Sequence, residues 1–118
     1  MDSKSRIKNI KDLFKGYTKE IGEFRRITIG TYIKIILKKR NMSQVDLLRK
    51  MQERNLGKVD APHLNNFING TAPNNSYVWA RRVEIALDLP EYSIIKMIGT
   101  PTEFEWKKIK EVGNNVSN

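Results

Sequence analysis

No stretch of this chain alternates apolar with polar residues between two-residue turns, the pattern that a half-buried strand requires. Apolar residues instead recur three and four apart, in segments bounded by residues that start and stop helices. The expected fold is therefore all-α, a compact domain of five to seven short helices.

Ile7, Ile10, Leu13, Phe14, Tyr17 and Ile21 form the first apolar stripe, with Lys8, Lys11, Lys15 and Lys19 off it and Gly16 weakening its middle. Ile29, Ile33, Ile36 and Leu37 form a second, over about Gly30 to Arg40. Lys34, Lys38, Lys39 and Arg40 lie on its wet side and gather toward its C-terminal end, where the helix dipole favours cations. Ser43 has the place of an N-cap, with Asp46 three residues on and Val45, Leu47, Leu48 and Met51 as apolar contacts. Asn55-Leu56-Gly57 is a stop signal. Asp60 reads as the next N-cap, with Pro62 in the first turn. Leu64, Phe67 and Ile68 are apolar positions, and Asn69-Gly70 and Pro73 end that helix. A further helix from Asn75 or Ser76 to Leu87 carries Val78, Trp79, Val83, Ala86 and Leu87, and a short one follows from Glu91 to Ile98. Thr102 and Glu105 have capping-box spacing and open a last helix to Val112, ended by Gly113. The polar tail 114–118 is expected to be disordered.

Composition narrows the function. A chain of 118 residues suits one domain. With no Cys there is no disulfide, no Cys-ligated zinc and no thiol chemistry, and a single His, His63, rules out a multi-His metal site. The carboxylates are scattered and no Gly-rich phosphate loop is present, so no catalysis, metal or cofactor is expected. Apolar runs are only a few residues long, and no secretory leader is recognisable, so the expected setting is the cytoplasm, with no membrane partner. The net charge is +9, and it is uneven: positions 1–60 hold 16 basic and 7 acidic residues, positions 61–118 hold 6 of each. Displayed on one face, that excess suits a polyanion such as nucleic acid.

Ile33, Ile36, Leu37, then Asn41-Met42-Ser43-Gln44, Leu47, Val59, Leu64, Phe67, Gly70, Pro73 and Leu87 carry a family pattern. The segment Gly30–Leu89, about half of the chain, resembles the helix-turn-helix domain of the lambda-repressor and Cro type (XRE-like). The resemblance implies a phage or mobile-element regulator whose second motif helix enters the major groove of double-stranded DNA. In this chain that helix would present Ala61, His63, Asn65, Asn66 and Asn69 to base edges. Asn suits adenine N6 and N7, and Ala suits a thymine methyl. Phosphates would be met by Lys34, Lys38, Lys39, Arg40, Ser43, Gln44, Arg49 and Lys58. Arg25 and Arg26 would form an arm into a minor groove. The chain would divide into an N-terminal helix or arm (1–25), the DNA-binding domain (26–100) and a C-terminal helix (101–113). Phe104, Trp106 and Ile109 of the last either cover the core or join a homodimer matched to a two-fold operator.

Two departures stand out. Leu48 occupies a place where the family usually has Ala, and the turn Gln52–Lys58 is longer than the family's; both bear on how the motif helices cross. They keep two alternatives open beside a sequence-specific repressor. One is a protein-interaction module on the same scaffold, antirepressor or antitoxin-like, with a protein partner; the other is a nonspecific DNA-coating protein.

Overall fold

The computed structural model describes residues 28–71 and 76–114. Among them the chain is all-α, with no strand and six helices: α1 (28–39), α2 (Gln44–Glu53), α3 (Ala61–Ile68), α4 (Ser76–Ala86), α5 (Ser93–Ile98) and α6 (Glu103–Asn114). No helix among the described residues is long and apolar enough to cross a membrane. The expected helix from Ile7 to Ile21, Arg25, Arg26, Pro73 and the tail after Asn114 lie outside the described residues.

Capping explains where the helices begin. Ser43 Oγ accepts the Asp46 N–H at 3.1 Å while Asp46 Oδ2 accepts the Ser43 N–H at 2.8 Å, a reciprocal box at the start of α2. Asp60 Oδ1 accepts the His63 N–H at 2.9 Å and starts α3. Thr102 and Glu105 repeat the box before α6, at 3.2 and 3.0 Å. At the far end of α2, Asn55 and Gly57 take φ of 57° and 106° and turn the chain away. Because α2 continues to Glu53, its link to α3 comprises residues 54–60, two positions later than the expected turn. The Gly113 stop fails: α6 runs through it to Asn114. A glycine inside a helix costs about 1 kcal/mol against alanine, which weakens the helix without ending it.

One apolar core joins all six helices. It takes Ile29, Ile33 and Leu37 from α1, Leu47 and Met51 from α2, and Leu64, Phe67 and Ile68 from α3. Trp79, Ala80, Val83 and Ala86 of α4 meet them, with Leu87, Ile94, Ile95 and Ile109. α4 is central, touching α2, α3, α5 and α6. Leu48 is half-buried at the edge of this core. Val45, expected to pack, is 61% exposed instead, because it lies on the side of α2 away from Leu47 and Met51.

Polar groups tie the layers together. Glu84 is fully buried, and its carboxylate accepts N–H bonds from Tyr92, Ile94 and Ile95, each at 2.9 Å. Arg81 pairs with it at 3.1 Å. At the end of α4, Arg40 donates to the Leu87 carbonyl, and Arg54 donates to the Ile85 carbonyl and pairs with Asp88 at 2.9 Å. These cations satisfy carbonyls that a helix end leaves open.

α1 and α3 meet backbone to backbone. A Cβ built on Gly30 would lie 1.7 Å from the Ile68 carbonyl oxygen, so no side chain fits unless the helices part. Gly30→Ala is expected to cost about 1–3 kcal/mol, the range for overpacking a filled site. Urea unfolding reads this directly; a variant as stable as the parent would contradict the close approach.

Candidate nucleic-acid interface

α3 is two-sided. Leu64, Phe67 and Ile68 are buried, and Phe67 stacks on Trp79 of α4 with ring centres 6.2 Å apart and planes 22° apart. Ala61, His63, Asn65 and Asn66 are exposed on the other side, with Asn69 exposed just beyond the last turn. A 3.6-residue period forces this split once the apolar positions are anchored. The five residues expected at base edges are thus all exposed on a helix held by an aromatic stack, with Ala61 and His63 at opposite margins of its polar side.

The face is further ordered at both ends. At its start, His63 Nδ1 lies 2.7 and 2.8 Å from the two carboxylate oxygens of Asp60. The His63 backbone N–H, then its ring, holds the Asp60 carboxyl below the usual carboxylate range. At its end, Lys34 Nζ of α1 reaches Asn69 Oδ1 at 3.5 Å, a long contact that brings a cation beside the exit of α3.

The residues expected at phosphates fall into three groups. Lys34 and Lys38 line an open groove between the end of α1 and the start of α2, together with Asn41, Ser43, Gln44 and Asp46. A helix start with free N–H groups beside two ammonium groups suits an anion. Asp46 works against this: its carboxylate belongs to the capping box, and the Ser43 N–H and hydroxyl hold it below its usual range. The sequence marks Asp46 as a cap but not as the acidic edge of this groove. Lys39, Arg49 and Lys58 are exposed outside the groove, Arg49 lying 3.8 Å from Asp46. Arg40 is exposed, and its guanidinium also serves as a structural tie, one N–H donating to the carbonyl end of α4.

A second arginine, not singled out by the sequence, supports the interface from behind. Arg82 Nε donates to the Leu56 carbonyl at 2.9 Å and its guanidinium lies 4.7 Å from the Trp79 ring centre. It thereby pins the link between α2 and α3 onto the same Trp79 that anchors Phe67. Burial pulls its pKa down from the ordinary arginine value.

The three residues considered for a dimer contact separate. Ile109 is fully buried inside the protomer and cannot also meet a second chain. Trp106 is half-buried and edge-on to Tyr92, ring centres 4.9 Å apart. Phe104 alone stays open, 67% exposed with the Lys108 ammonium 4.7 Å from its ring centre. α6 covers the core.

No family model, no curated protein and no solved structure matches this chain. Among the described residues, no group of three or more His, Cys, Asp or Glu side chains is placed to hold a metal ion.

Proposed function

We propose that this protein is a sequence-specific double-stranded DNA-binding transcriptional regulator, a repressor of phage or mobile-element type that acts by occupying its operator. The observation that carries the proposal is the outer face of α3. It presents Ala61, His63, Asn65, Asn66 and Asn69 from a helix whose other side is locked against Trp79. Short amide side chains on a rigid exposed helix reach base edges without the entropy cost of long flexible ones.

On this proposal α3 lies in the major groove and α2 crosses the backbone. Asn65 and Asn66 read adenine, and Ala61 touches a thymine methyl. Lys34, Lys38, Lys39, Arg49 and Lys58 supply the phosphate attraction, with Gln44 adding a backbone N–H group at the start of α2, where the Ser43 N–H is already given to Asp46. The regulator pairs as a homodimer, since a two-fold operator matches a two-fold protein.

Neutralising about five phosphates per subunit, one for each of those five cations, gives a slope of about −4.5 per subunit for log K against log[salt]. Duplex binding measured across a salt series tests this. A slope near zero contradicts DNA as the partner and favours a protein one.

A further inference from the structure

We infer that Asp60 and His63 act as a pair that selects an amino-bearing base, cytosine or adenine, at the start of α3. The inference rests on the proposed placement of α3 in the major groove. Its geometric basis is the position of His63 Nδ1, 2.7 and 2.8 Å from the two Asp60 carboxylate oxygens.

An ionised carboxylate only accepts hydrogen bonds, so a contact this short requires the proton on Nδ1. In the neutral ring the other nitrogen, Nε2, then carries the lone pair and can only accept. Asp60 stays ionised because the His63 N–H also donates to it, at 2.9 Å. His63 is 69% exposed on its side chain, at one margin of the polar side of α3 and next to Asn66.

The major groove supplies the discrimination. Cytosine offers its N4 amino group and adenine its N6 amino group, whereas guanine and thymine present acceptors at O6 and O4. An Nε2 lone pair bonds to the first two and opposes the last two. Asp60 is thus a positioning residue with two tasks, capping α3 and holding the ring in one tautomer. Without it the ring exchanges its proton between the two nitrogens, and Nε2 serves as donor or acceptor according to the base it meets.

The test is selection of bound duplexes from a random pool at about pH 8, alkaline of the ordinary imidazole range. The wild type, His63→Ala and Asp60→Ser are run side by side. Serine still caps a helix but is too short to hold the ring, so Asp60→Ser is expected to unfold at close to the parental temperature. His63→Ala, at an exposed site, guards against a folding defect in Asp60→Ser. The expected result is a wild-type motif with one position favouring cytosine or adenine by about tenfold over guanine or thymine. That preference disappears in both variants while the rest of the motif persists. Guanine or thymine at the His63-dependent position would overturn the inference, as would an unchanged preference in Asp60→Ser. A uniform loss of binding in His63→Ala, without relaxed selectivity, would overturn it too by making His63 a phosphate contact. In each of these cases the motif survives and α3 remains the reader. Recovery of no motif by the wild type would overturn the proposed function itself.

Discussion

Glu84→Ala is expected to remove at least about 3–5 kcal/mol of folding free energy, the usual cost of deleting one partner of a buried ion pair. The carboxylate is fully buried and accepts from three backbone N–H groups while pairing with Arg81. Alanine leaves those donors and the 16%-exposed Arg81 side chain without their acceptor. The loss is concentrated on α5. That helix is six residues long, and its N-cap, Tyr92, sits at φ 63° and offers no side-chain cap of its own. A helix this short does not persist alone in water, so Glu84 supplies the capping that its own sequence lacks. Against a typical stability of about 5–15 kcal/mol, the variant is expected to be largely unfolded or to melt more than about 10 °C lower. Glu84→Gln keeps the shape and one acceptor oxygen and is expected to lose less. Thermal and urea unfolding of both variants gives the answer. A loss below about 1 kcal/mol for Glu84→Ala would show that the three N–H groups find other partners.

The double variant Asn65→Ala, Asn66→Ala is expected to act on binding and leave the fold intact. Both side chains are exposed, and alanine is the better helix former. Each well-placed amide contact to adenine is worth about 1–3 kcal/mol of discrimination. Losing two, about 2–6 kcal/mol, lowers affinity for the preferred duplex by about thirtyfold to ten-thousandfold. Affinity for random duplex changes little, because the lysines that supply it are untouched. Competition between preferred and random duplexes measures this. Equal weakening on both would place the two residues at the backbone. No weakening on either would remove α3 as the reader and favour a coating or protein-binding role.

The sequence made the helix starts legible because a cap is a local device. Ser43 with Asp46, Asp60 with His63, and Thr102 with Glu105 each act across three residues, so spacing alone locates them. The two sides of α3 were legible for the same reason: an eight-residue helix with three apolar anchors has only one way to face. Long-range ties were not legible. Glu84 resembles any surface glutamate of an amphipathic helix, and the backbone N–H groups it accepts from lie eight to eleven residues on, beyond a turn. Arg40 stands in a run of cations and looks free, yet its acceptor is 47 residues away. The fully buried Ile109 settles the packing of α6, which an imperfect apolar stripe left open between core and dimer. Gly113 misled because a glycine lowers helix propensity without ending a helix, and it stands here in open space near the end of α6.

The most direct test of the central claim is selection of bound duplexes from a random pool, read at a low and a higher salt concentration. The proposal predicts a recovered motif that sharpens as salt weakens the backbone attraction. If the protein pairs, the motif is two-fold symmetric, with half-sites about one helical turn or a multiple of it apart. A bound pool without any motif, or no binding even at low salt, would contradict a sequence-specific regulator.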